Sequence, residues 1–329
     1  MKGLIAYLSL ASVALGAPRL RKRQDAITAG QLNNLKLYAQ WSAASYCNGE
    51  QEANQPVICN SNTCSMFSSH NATVVSSFIG SLSDIRGFIG LDPVDKQIVV
   101  SFRGSSSIQN WITDFIFTQV PCDLTSGCLA HTGFLGAWNE VADRVFDGVK
   151  AASDGNPDYK IIVTGHSLGG AVATIAAAYL RKDGYETDLY TYGSPRVGNH
   201  AFVNFVTLQP GGEYRVTHAD DPVPRLPPIL LNYRHTSPEY WIDPDNDESV
   251  TLEEVKFCTG YSNIQCNGGT LGLNADSHGW YFQSLSGCGD ATALFAAADL
   301  NDEEVKNKIN LYAELDTQLA SNLHAEGQS

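Results

Sequence analysis

The chain has 329 residues, 43% of them hydrophobic, which is enough to bury one substantial core and suits one large domain with appendages better than two. Acidic residues outnumber basic ones by 35 to 21, a formal net charge of −14, so nucleic acid and anionic membranes are excluded as favoured partners. The acidity names no substrate, and its plainest role is solubility.

Met1 and Lys2 precede an apolar run from Leu4 to Leu15 that ends among small residues. This is the pattern of a secretory leader over residues 1–16, too short to span a bilayer. Arg19-Leu20-Arg21-Lys22-Arg23 then reads as a processing site, which makes 17–23 a propeptide and Gln24 the first residue of a secreted, extracellular chain. Removing residues 1–23, with Lys2, Arg19, Arg21, Lys22 and Arg23, leaves a net charge of about −19.

Eight cysteines follow the leader, and in an oxidising route an even number favours four disulfides over metal ligation or a thiol nucleophile. Cys59 with Cys64, Cys122 with Cys128 and Cys258 with Cys266 could close small loops, leaving Cys47 to reach Cys288, although spacing alone does not fix the pairing. Asn71-Ala72-Thr73 is the only N-glycosylation sequon.

Between Gln31 and Tyr46, Leu32, Leu35, Tyr38 and Trp41 recur every three or four residues, which predicts an amphipathic helix on the outside of a sheet. Short apolar or β-branched runs at Gln97 to Phe102, Lys160 to Thr164, Asp188 to Tyr192 and Tyr214 to Thr217 alternate with helical stretches such as Gly136 to Ala151. Strands alternating with helices predict an α/β sheet. Gly, Pro and Asn cluster from Asp220 to Asn232 and from Gly260 to Asn274, predicting loops above that scaffold. Beyond Cys288, Val305, Ile309, Tyr312, Leu315, Leu319 and Leu323 share a helical face, predicting an appended helical extension over 289–329 on which nothing catalytic should depend.

One segment carries chemistry. The buried run Lys160 to Thr164 leads into Gly165-His166-Ser167-Leu168-Gly169 and then an Ala-rich helix, the strand, nucleophile elbow and helix of an α/β-hydrolase. A hydroxyl attacks poorly at neutral pH unless it is presented on a tight turn beside a base, and glycines two before and two after leave room for that turn. Ser167 is therefore the candidate nucleophile. In this fold the acid and then the histidine follow the serine. Asp221 follows the strand at Tyr214 to Thr217 and precedes Pro222-Val223-Pro224, with Asp220 as its rival. His278 is the last histidine before Cys288, while His131, His166, His218 and His235 are read as satisfied structural residues without metal-ligand spacing. Leu168 supplies one oxyanion donor through its backbone, and Ser105, after the run Val99 to Phe102, is the candidate for the second. Ile108, Trp111, Ile112 and Phe115 follow directly and could form the apolar face of a short helical lid.

Phe102-Arg103-Gly104-Ser105, Gly165 to Gly170, Tyr192-Gly193-Ser194-Pro195-Arg196-Val197-Gly198-Asn199 and Val216 to Pro228 together resemble the fungal class 3 triacylglycerol lipases of the Thermomyces and Rhizomucor type. The likeness runs from Asp25 to Cys288, so the hydrolase domain is placed at 24–288. It implies a central, mostly parallel sheet flanked by helices, Ser167, Asp221 and His278 as catalytic residues, Ser105 and Leu168 at the oxyanion hole, and Trp111 in the lid. It also implies Cys47–Cys288, Cys59–Cys64 and Cys122–Cys128 disulfides, with Cys258 and Cys266 as an addition. The expected activity is hydrolysis of lipid carboxylic esters, triacylglycerols first, at oil–water interfaces and with activation there. The expected enzyme is a monomer without stable membrane insertion, cofactor or metal. Phospholipase A1, galactolipase or feruloyl-type esterase activity is the alternative within the family. A catalytically silent lipid-binding protein is the alternative outside it, and the order Ser167, Asp221, His278 argues against it.

Overall fold

The computed structural model describes residues 27–60, 63–105, 116–243, 249–272, 274–285 and 303–325. The expected leader and propeptide at 1–23, the expected lid residues Ile108, Trp111, Ile112 and Phe115, and Cys288 lie outside the described residues.

A central sheet of eight strands organises the chain. It begins with β1 (Thr73–Ile79), β2 (Arg86–Asp92) and β3 (Gln97–Phe102), paired antiparallel. From β3 it continues in parallel through β6 (Lys160–His166), β7 (Thr187–Tyr192), β8 (Glu213–His218) and β9 (Glu239–Ile242), and β10 (Val255–Cys258) closes it antiparallel. A separate hairpin pairs β4 (Gln119–Pro121) with β5 (Leu129–His131). The sheet is therefore mostly parallel at its centre, and all four strand runs predicted from the sequence lie in it.

Alternation along each strand divides the interior in two. Ile98, Val100 and Phe102 of β3, with Ile161 and Val163 of β6, face a core completed by α2 (Thr132–Gly155) and α3 (Leu168–Lys182). Val99, Ile162 and Tyr190 face the other way, against α1 (Ala29–Asn48). Strands covered on both faces read as continuous apolar runs, which is why they were visible in the sequence. Helix α1 starts at a capping box in which Thr28 and Gln31 satisfy each other's backbone N–H groups, and its Trp41 stacks on Phe67 at 4.2 Å.

Disulfides join Cys59 to Cys64, Cys122 to Cys128 and Cys258 to Cys266 across Cα separations of 6.0, 5.2 and 6.5 Å. Cys47 is disulfide-bonded as well. Asn71 is exposed on a turn with a φ of 54°. Short helices α4 (His200–Leu208) and α5 (Ala275–Gly279) precede the last helix, α6 (Glu303–Ala325). That helix packs on the body through a seam of Ile309, Ala313, Asp316 and Ala320, whereas Leu315 of the predicted stripe stays exposed. The seam follows small side chains and one ion pair, not the most hydrophobic row.

Candidate active site

Because the central strands run parallel, their C-terminal ends meet at one edge, and the loops leaving β3, β6, β7 and β8 gather there. Ser167 sits where β6 turns into α3, at φ 57° and ψ −128°. Side chains rarely adopt this region, and holding one there costs on the order of 1–3 kcal/mol. The glycines make the turn possible. A Cβ on Gly165 would lie 2.4 Å from the Gly169 carbonyl oxygen, and one on Gly169 would lie 2.3 Å from that of Phe102. The Ser167 N–H donates to the Tyr192 carbonyl at 2.9 Å, tying the elbow to the end of β7.

His278, from α5, and Asp221, from the loop after β8, are both fully buried. The imidazole Nδ1 lies 2.8 Å from Asp221 Oδ2 and 3.0 Å from Oδ1. The rival Asp220 instead accepts from the Ser277 hydroxyl at 3.4 Å. Asp221 has further donors that the sequence did not reveal: the Val223 N–H at 2.9 Å on Oδ1 and the Tyr281 hydroxyl on Oδ2. Burial, reinforced by the Asp221 charge, pushes the Tyr281 phenol well above its ordinary value, so it remains a donor. Asn267 donates to the carbonyls of Ala219 and Asp221, at 3.2 and 3.0 Å, fixing the backbone of the acid loop.

Two histidines read as structural residues hold the loop that carries His278. His166 Nε2 lies 2.8 Å from the His278 carbonyl, and His218 Nδ1 lies 2.9 Å from that of Ser277. A carbonyl only accepts, so these ring nitrogens carry the protons. Burial, then the neighbouring His278, hold His166 well below the usual imidazole range, so its Nδ1 stays neutral and accepts from the Tyr46 hydroxyl at 3.0 Å. Their only signal in the sequence is position: each ends a strand next to, or three residues before, a candidate catalytic residue.

Leu168 opens α3, so its N–H belongs to the first-turn donors that lack a helical acceptor, at the positive end of the helix dipole. Ser105 follows Gly104, where a Cβ would lie 3.2 Å from that of Ser167, so the loop after β3 runs directly over the nucleophile. Arg225 spans the acid and histidine loops, donating to the carbonyls of Asp220, Thr270 and Gly272. Burial pushes its guanidinium down to about 10, still charged at neutral pH.

Among the described residues, His70, Asp92 and Asp95 form the one cluster with metal-like spacing. It precedes β3, at the opposite end of the sheet from Ser167. Its buried carboxylate, Asp92, is already bonded to His70 at 2.9 Å and to the backbone N–H groups of Val94 and Asp95.

Residues 99–231 match the Lipase (class 3) family. Secreted mono- and diacylglycerol lipase 1 of Fusarium solani is 50% identical over 305 residues, 92% of this chain and 91% of the relative. Secreted mono- and diacylglycerol lipase A of Penicillium cyclopium is 37% identical over 84% of this chain and 92% of its own length. The crystal structure of a mono- and diacylglycerol lipase from Aspergillus oryzae superposes with a TM-score of 0.75 at 42% identity, covering 78% of this chain and 98% of that one. With identity of this extent over most of both chains, the chain belongs to the class 3 lipases.

Proposed function

We propose that this chain is a secreted carboxylic ester hydrolase that cleaves acylglycerols through Ser167, His278 and Asp221. The observation that carries the reading is the buried His278–Asp221 pair, 2.8 Å apart, at the strand edge that also presents Ser167 on its elbow. His278 Nε2 takes the Ser167 proton as Oγ attacks the ester carbonyl, and Asp221 stabilises the imidazolium that results. The oxyanion is received by the Leu168 N–H and the Ser105 backbone at the positive end of α3. The imidazolium then protonates the departing glycerol oxygen, and water releases the acyl group from Ser167 by the same steps in reverse. No metal or cofactor enters the scheme.

Secretion is supported by the sequence of residues 1–23 and by the names of the relatives; no helix among the described residues is long and apolar enough to cross a membrane. The same names favour mono- and diacylglycerols over the triacylglycerols placed first from sequence. Asn71, exposed within its sequon, fits glycan attachment. The test is hydrolysis of mono-, di- and trioleoylglycerol and of phosphatidylcholine by the wild type and Ser167→Ala, each below and above the formation of a dispersed lipid phase. Acylglycerol cleavage lost in the variant, and rising with the dispersed phase, supports the reading. Preference for phosphatidylcholine overturns the substrate class, and an active variant overturns the nucleophile.

A further inference from the structure

Helix α6 lies along the catalytic edge. Its Asp316 accepts from the backbone N–H groups of Ile229 and Leu230 at 2.8 and 3.2 Å, and its Asn310 accepts from Gly272 N–H at 3.1 Å. These partners belong to the loops that carry Asp221 and lead to His278. Tyr312 meets Phe117 edge-on at 6.0 Å, while Ile309 packs with Val223 and Leu226 just after the catalytic acid.

The buried seam of this helix is Ile309, Ala313, Asp316 and Ala320. At about 100° per residue, Leu311 and Leu315 point roughly to the opposite side, one turn apart. They are 52% and 39% exposed. Leu230, Leu231 and Leu271 flank the helix on the two loops it grips, and Ile116 sits beside Phe117; all four are exposed as well. Of the eleven large hydrophobic side chains exposed among the described residues, these six border one helix, so the exposure is concentrated and not scattered.

We infer that α6 and its flanking leucines form a lipid-docking surface, which seats the enzyme on an uncharged acylglycerol phase beside the catalytic edge. This rests on the proposed action on acylglycerols. The occupant follows from place and charge. The helix that bears the patch packs through Ile309 on Val223 and Leu226, just after Asp221 and at the end of the sheet where the ester must reach Ser167, and an excess of 35 acidic over 21 basic residues disfavours an anionic surface. Leucines that protrude from a helix clamped on its other face by the buried Asp316–Arg196 ion pair enter an oil phase without any rearrangement of the fold.

The experiment measures adsorption of the Ser167→Ala protein to dioleoylglycerol emulsion, with and without Leu311→Ser and Leu315→Ser, and separately the turnover of monomeric p-nitrophenyl butyrate by the active counterparts. Burying a leucine side chain is worth a factor of ten or more, so the double substitution should weaken adsorption at least tenfold. Soluble-ester turnover should stay within twofold. Leu230→Ser with Leu271→Ser, on separate loops, should weaken adsorption likewise if the first pair disturbs the helix. Unchanged adsorption in both pairs overturns the proposal. So does a wild-type dimer, seen by sedimentation without lipid, that becomes monomeric in the variants, because a second copy then covers the patch. Adsorption is read on a protein lacking the nucleophile, so failure of the hydrolase reading would appear only in the turnover assay.

Discussion

Arg196 and Asp316 form an ion pair 2.8 Å apart with each side chain 2% exposed, joining the last helix of the chain to the strand-end loop beyond β7. The same Arg196 nitrogen donates to the carbonyls of Arg225 and Pro227, at 2.7 and 2.9 Å, so the pair also braces the segment that follows Asp221. Burial lowers the Arg196 pKa, and the neighbouring Asp316 charge opposes that shift.

Removing one member of this pair leaves a buried charge uncompensated. Asp316→Ala should lower the unfolding free energy by about 3–5 kcal/mol, measured by urea denaturation, whereas replacing both residues with apolar ones of similar size should cost far less. A loss below about 1 kcal/mol for the single variant would show that water enters the site. A kcat reduced in Asp316→Ala under conditions where it is fully folded would show that the appended helix supports the acid loop, against the expectation that nothing catalytic depends on it.

The roles assigned at the strand edge separate kinetically. Ser167→Ala should lose fluorophosphonate labelling and about 10⁴-fold or more in kcat, and Asp221→Asn a comparable amount by turning the imidazole to the wrong tautomer. Tyr281→Phe removes a hydroxyl from a buried carboxylate, an interaction worth about 1.5–3 kcal/mol, so kcat should fall roughly tenfold or more with KM little changed. If the Tyr281 variant matches the wild type, the hydroxyl does not position Asp221.

Gly193 has a φ of 57°, and a Cβ there would lie 3.0 Å from both Asp221 Oδ2 and His278 Cε1 and 2.9 Å from the Tyr281 hydroxyl. Gly193→Ala should therefore push the acid and base apart while adding only about 1–2 kcal/mol of backbone strain. The expected result is a stable protein with kcat reduced a hundredfold or more. Retained activity would place the glycine outside the functional constraint.

Stability should fall in mild acid. His131 is pushed down to about 4 by burial, and burial likewise holds His166 and His235 well below 6.5. The folded protein keeps these rings neutral while the unfolded chain protonates them below about pH 6.5, so their contribution is complete above that pH and is lost as pH falls toward the folded values. Each accounts for about 1.4 kcal/mol per pH unit within that window. Glu213, raised by burial, works in the opposite sense. The urea midpoint should drop between pH 6.5 and 5, and His131→Gln should flatten that slope if the variant folds; a flat wild-type profile would refute the assignment.

The sequence by itself determined the elements whose signal is local. Buried parallel strands must be apolar on both faces, so β3 and β6 to β8 were legible as runs, and the elbow was legible because Gly165 and Gly169 leave no room for any other side chain. Strands β1, β2, β9 and β10 were missed, because Thr73–Ile79, Arg86–Asp92, Glu239–Ile242 and Val255–Cys258 interleave polar, charged or glycine residues with their apolar ones and leave no long unbroken apolar run. The order Ser167, Asp221, His278 was likewise readable along the chain. Only the tertiary structure decided which aspartate meets the imidazole, that Tyr281, Asn267, His166 and His218 hold that pair in place, and which face of α6 is buried. Those outcomes depend on hydrogen-bond geometry and on the match between small side chains and the surface they cover, neither of which leaves a periodic trace in one sequence.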